Sequence, residues 1–188
     1  MFRRQMGAGI SVIILNKEEP GYRGVTGRKL VFRLIDIIYY KDDQGRKWAI
    51  PAFFLHDKRS APPFLWFWLP PSIGWQDVAW TIHDFESRCF TILGLTLEEV
   101  DGPRFISAMR AVNKSKTRAK WHSRGVRLFS KLGRNNGDGI HRKEYLNGPV
   151  QDPLTGKRIP LTAWVGKYYN KDGSGLNDTF PFPEEEAA

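Results

Sequence analysis

Apolar and polar residues change period several times along the chain, and each change marks an expected element. Ile10-Ser-Val-Ile-Ile-Leu15 follows a basic head, Met1-Phe-Arg-Arg4, and stops against Asn16-Lys-Glu-Glu19. No small-x-small cleavage site follows it, so the run reads as a buried strand rather than a secretion signal. Arg28 to Tyr40 is rich in β-branched and aromatic side chains, Lys41-Asp-Asp-Gln-Gly-Arg46 supplies turn residues, and Lys47 to Leu55 resumes the strand character, which predicts a β-hairpin. Asp36 interrupts the apolar run and signals a bulge or an outward register. His56 to Phe64 reads as a loop, because Ser60 and Pro62-Pro63 resist both helix and ladder pairing.

A helix is expected from near Gln76. At about 100° per residue, Val78, Ile82, Phe85 and Cys89 share one face, Ala79 and Phe90 extend it, His83 lies at its margin, Glu86 in its flank and Asp84 opposite. Thr96-Leu-Glu-Glu99 fits a capping box, so a second helix starts there, and Asp101-Gly-Pro103 restarts or kinks it. Phe105 to Val112 continues as helix, and the basic stretch after it forms another that stops around Gly133. Beyond lie a Gly/Asn-rich linker, a hairpin or extended arm over Asp152 to Val165, and a flexible acidic tail, Phe180 to Ala188. The fold class that follows is α+β: an N-terminal hairpin or small antiparallel sheet packed on about three helices, with an extended C-terminal arm. The divisions are 1–27, an N-terminal strand or arm; 28–134, the α+β domain; and 135–188, the arm and acidic tail.

Composition narrows the class. At 188 residues and 41% hydrophobic, the chain can bury one good core. Cys89 is its only cysteine, which excludes an internal disulfide, gives no sign of a secreted scaffold or a thiolate metal site, and makes a reducing compartment the default. Ala61 to Pro71, the most apolar run elsewhere, is bracketed by prolines and too short to span a bilayer, so no transmembrane segment is expected.

The formal net charge of +9 is unevenly placed: Gly102 to Gly137 holds ten Lys/Arg and no Asp or Glu. Arg110, Lys114, Lys116, Arg118, Lys120, Arg124, Arg127 and Lys131 are the candidate polyanion-binding residues, since counterion release favours any phosphate-bearing partner. Trp121, Val126, Leu128 and Phe129 interleave with the charges, so a solvated amphipathic helix accounts for the same pattern.

The candidate chemistry lies in His56, Asp57 and Ser60 after the hairpin, His83, Asp84 and Glu86 on the next helix, and Asp101 ahead of the third. Imidazole with carboxylates suits a divalent metal such as zinc or manganese, and equally suits general acid–base work. Each has a plainer role: Asp57 and Ser60 in an Asx-type turn, Asp84 paired with Arg88, His83 a satisfied interface histidine, Asp101 a helix cap. Asn170 to Asp178 begins like a calcium loop, but Pro181 stands where a bidentate Glu is needed, and that reading is rejected.

The order of motifs adds a resemblance. "IPAFFLHDKRSAPPFLWFWLPP", then "AWTIHDF", then "EEVDGPRFISAM" resembles a family of tailed phages and prophages catalogued as domain of unknown function thirteen fifty-three. Pro51, Phe54, Asp57, Ser60 and Pro62 match its first block, His83 and Asp84 its second, Asp101 and Phe105 its third, over roughly Arg28 to Gly133. Phe53 stands where the family has Gly, and Glu86-Ser87 where it has Leu-Tyr. The resemblance implies a phage or prophage context and joint use of Asp57, Ser60, His83, Asp84 and Asp101.

Three functions are open on this reading. The first is a non-enzymatic virion or tail-module protein of structure or assembly, docking on other phage structural proteins through aromatic and basic surfaces and the C-terminal arm. The second is a small metal-dependent hydrolase of cell wall or phosphoesters, with His83, Asp57 and Asp84 as metal ligands and His83, Asp84, Asp57, Ser60 and Asp101 as the catalytic set. The third is an accessory protein binding nucleic acid or another polyanion through residues 104–134. The expected location is the virion or the host cytoplasm.

Overall fold

The computed structural model describes residues 11–14, 31–56, 76–111, 115–134 and 148–183. The linker after Arg134, the aromatic run Ala61 to Pro71 and the acidic end of the tail therefore lie outside the described residues. The architecture is α+β, with small antiparallel sheets set against the helices.

Strand β1 (Ser11–Ile14) forms where the N-terminal apolar run predicts it and pairs antiparallel with β2 (Val31–Leu34), Val12 opposite Arg33. The chain then breaks at Asp36, whose carboxylate accepts the Ile37 amide at 2.7 Å while Ile35 turns outward, 51% exposed. The expected long strand is thus two. The second, β3 (Ile38–Lys41), pairs with β4 (Lys47–Ile50) around the predicted turn, Tyr40 opposite Trp48. Asp42 closes that turn by accepting the Gln44 and Arg46 amides at 2.9 and 3.0 Å. β5 (Leu55–His56) adds to the other edge of β2.

Helix α1 (Gln76–Cys89) follows. Its predicted face is sealed, with Val78, Ile82, Phe85 and Cys89 all at 1% exposure or less. Asp84, on the far side of the wheel, is buried as well, because the neighbouring elements cover α1 nearly all round. The capping box forms as read: the Thr96 hydroxyl accepts the Glu99 amide while Glu99 accepts the Thr96 amide, opening α2 (Leu97–Glu99). A kink follows over Val100–Arg104, centred on Gly102 with φ −108° and ψ −106°, and Pro103 leads into α3 (Phe105–Ala111). α4 (Lys116–Arg134) packs against α3 and the kink.

The C-terminal segment carries more structure than an extended arm. β6 (Pro149–Gln151) and β7 (Arg158–Pro160) make a hairpin, and α5 (Leu161–Tyr168) follows. Trp164, Tyr168, Tyr169 and Phe180 are buried in the same core as Trp48, Phe54 and Phe85. Their rings meet across the chain: Trp48 lies 5.5 Å from Tyr169, Phe85 6.5 Å from Trp164 and Tyr168 5.1 Å from Phe180. Aromatic side chains of this size bring a large area out of water, which is why a segment rich in loop residues still orders.

Two candidate polar rungs between helix and kink

His83 and Glu86 sit three residues apart on α1, so they lie on one face a single turn apart. Asp101 and Arg104 sit three apart on the kink that packs against that face. The two pairs close on one another as parallel rungs.

In the first rung His83 Nε2 and Asp101 Oδ1 are 2.8 Å apart, with the side chains 10% and 5% exposed. A carboxylate accepts, so Nε2 is the donor of this bond. Phe105 and Trp80 pack on the imidazole, at 4.9 and 6.2 Å between ring centroids. Asp101 is held from its other side too, for its carbonyl accepts the Ser123 hydroxyl of α4 at 2.6 Å. The kink thus ties α1 to α4.

In the second rung Arg104 grips Glu86 with two nitrogens, Nε at 3.0 Å from Oε2 and Nη2 on Oε1. The Tyr40 hydroxyl donates to the same Oε1 at 2.7 Å. Arg104 Nη1 reaches Asp42 Oδ2 at 3.2 Å, and Asp42 also accepts Arg46 Nε at 2.6 Å and the Trp48 indole at 3.0 Å. The guanidinium lies 3.8 Å from the centroid of the Trp48 ring. A buried charge is tolerated only when paired and hydrogen-bonded, and here each partner supplies the other. Burial resists ionisation of Tyr40 first, the Glu86 charge adds to it, and together they push the phenol well above its ordinary range. Burial would raise the Asp42 carboxyl, but its bonds from Arg46 and Trp48 outweigh this and hold it low.

The sequence reading distributes these residues differently. Asp101, read above as a helix cap, meets His83. Asp84 is buried at 6% exposure elsewhere on α1. Asp57 and Ser60 lie outside the described residues, so the ligand set His83, Asp57 and Asp84 and its zinc or manganese stay an expectation. Among the described residues no cluster of three metal-binding side chains occurs. His56 is buried on β5, its ring 6.2 Å from that of Phe54 and its Nδ1 3.4 Å from the Thr81 hydroxyl. Arg104, Asp42 and Tyr40 are the members of the Glu86 network that the sequence reading missed, because the bonded partners are 18 to 62 residues apart. The one local signal was the shared spacing of three between His83 and Glu86 and between Asp101 and Arg104.

The basic stripe divides as well. Arg104, counted with it in the sequence, faces inward and is spent on Glu86 and Asp42. Lys120, Arg124 and Arg127 on α4 and Arg110 on α3 are exposed. Lys114 lies outside the described residues, as do the side chains of Lys116, Arg118 and Lys131. Ala119, His122, Ser123 and Val126 form the buried face, whereas Trp121 and Leu128 point out, 63% and 58% exposed. Trp121 and Leu128 are thus not the apolar side of an ordinary amphipathic helix. No helix among the described residues is long and apolar enough to cross a membrane.

No curated protein and no solved structure matches the chain. A family model described as Protein of unknown function (DUF1353) matches residues 32–126, a span that contains both rungs, the kink and most of the buried face of α4. Phe53, where the resemblance places a family glycine, has φ 66°, a left-handed backbone that glycine adopts without cost. With that span covering just over half of the sequence, the chain belongs to the DUF1353 family.

Proposed function

We propose that this protein is a non-enzymatic structural or assembly component of a tailed-phage or prophage particle. The observation that carries the reading is the closure of His83 on Asp101 and of Glu86 on Arg104. His83 and Glu86 of α1 and Asp101 and Arg104 of the kink fix these elements against one another, and the exposed aromatic and basic side chains of α4 are left facing outward for a neighbour. The aromatic run and the C-terminal segment would supply further docking surface. Mass spectrometry of purified particles tests this: the chain present at many copies per particle supports it, and its complete absence from infective particles sinks it.

A second reading has one specific observation behind it. A histidine oriented by a carboxylate and edged by aromatic rings has the arrangement of a general base, with Nδ1 as the proton acceptor. In a metal-dependent hydrolase the same nitrogen would instead be a ligand, and Asp57 and Asp84 would join His83 around a divalent ion that activates water. Untagged protein carrying near-stoichiometric metal, with chelator-sensitive hydrolysis lost in His83→Ala, would favour this reading; metal-free protein indifferent to chelator would remove it.

A further inference from the structure

The outer face of α4 combines features that a solvated helix does not need. Trp121 and Leu128 are two helical turns apart and therefore in one stripe, with Arg124 between them and its guanidinium 5.4 Å from the Trp121 ring centroid. Lys120 flanks the same stripe and is exposed. The stripe cannot roll inward, because Ala119, His122, Ser123 and Val126 hold the opposite face in the core and the Ser123 hydroxyl is bonded to the Asp101 carbonyl. The sequence from Gly102 to Gly137 carries no acidic residue to neutralise it.

We infer that this face is a docking surface for a membrane rich in anionic phospholipid. Trp121 and Leu128 enter the headgroup region, and Lys120 and Arg124 meet lipid phosphates. Charge complementarity alone would suit any polyanion, and Trp121 alone would suit a stacked base. Leu128 decides between them: an exposed leucine gains nothing along a phosphodiester backbone, whereas at a bilayer surface it leaves water together with the indole. The inference deepens the docking reading above by naming what this face meets. Particle composition tests that reading and vesicle binding tests this one, so the two can fail separately.

The experiment uses the full chain in vesicle flotation, with phosphatidylcholine alone and with phosphatidylglycerol added. Binding is expected only to the anionic vesicles and should weaken as salt is raised. Trp121→Ala/Leu128→Ala should reduce partitioning about tenfold or more, with an unchanged melting temperature because both side chains are exposed. Lys120→Glu/Arg124→Glu should abolish it, and Lys120→Arg should keep it. Equal binding by wild type and Trp121→Ala/Leu128→Ala, or no binding to anionic vesicles, overturns the inference. So does tighter, Trp121-dependent binding to a single-stranded oligonucleotide than to vesicles, which would assign the face to nucleic acid.

Discussion

A methyl group added at Gly94 would overlap the carbonyl oxygen of Lys171, and the backbone there has φ +69°. Gly45 has nearly the same conformation, φ +76°, but nothing within 4 Å of an added Cβ. The two positions separate backbone strain from collision. Gly45→Ala should cost about 1–2 kcal/mol, the left-handed penalty of an L-residue, whereas Gly94→Ala should cost about 3 kcal/mol or more because the contact is backbone on backbone. Equilibrium urea unfolding of both variants checks this, and equal losses would show that the 171–173 turn gives way. Phe53 shows what sequence can and cannot tell at this scale. A phenylalanine gives no hint of a positive φ; only its place on a glycine of the family pattern does. Its ring is flanked by the Arg158 and Arg33 guanidinium groups at 4.5 and 5.4 Å, contacts that help offset the strain of about 1–2 kcal/mol.

At the scale of elements, the helices and the β3–β4 hairpin were legible because their signals are local: the capping box, the turn residues and the 3.6-residue face of α1 each sit within one stretch of chain. What each polar side chain bonds to was not legible. Arg104 reads as one more cation in a basic run, and only the kink at Gly102 turns it toward Glu86, Asp42 and Trp48. Removing one member of such a buried set leaves the others charged and unsolvated, so Arg104→Ala should cost about 3–5 kcal/mol. Arg104→Met combined with Glu86→Leu should cost clearly less than the sum of the two single changes, because no charge is then stranded. A double-mutant cycle on thermal or urea unfolding measures this, and simple additivity would mean that the rung contributes little.

For the whole molecule, acid and alkali should act on different parts. Burial works against the Asp152 carboxylate, but bonds from the Lys167 ammonium, the Tyr168 hydroxyl and the amides of Leu154 and Thr155 prevail and hold its pKa to about 2. A carboxyl with a lowered pKa in the folded state adds stability that is fully present above its ordinary value of 3.8 and is lost as pH falls toward 2. Asp42 contributes with the same sign. Tyr40 and Tyr169 have the opposite arrangement: burial keeps them neutral in the fold, so stability falls as pH rises past 10, where the unfolded phenols ionise. Melting temperature followed by circular dichroism should therefore decline at both ends, and Asp152→Asn should flatten the acid limb while leaving the alkaline one. An unchanged acid limb would show that the β6–β7 turn is not a determinant of the cooperative fold. That turn and the helix after it were only half visible in the sequence, since Pro160 and Gly166 speak against a helix and the burial of Trp164 and Tyr168 favours it.

The Tyr169 hydroxyl donates to the Ala49 carbonyl and accepts the Ala49 amide at 2.9 Å, and the Leu176 amide donates to the Lys47 carbonyl at 2.9 Å. Lys47 and Ala49 are the residues whose backbone groups face away from β3, so one phenol and one loop amide occupy places that an incoming strand would take. A hairpin with an open edge is a template for strand addition and aggregation. Here a segment that lies 120 residues further along the chain covers that edge, so a nascent chain that has not yet reached Tyr169, or one clipped ahead of it, would expose the edge and would be the aggregation-prone form of this protein.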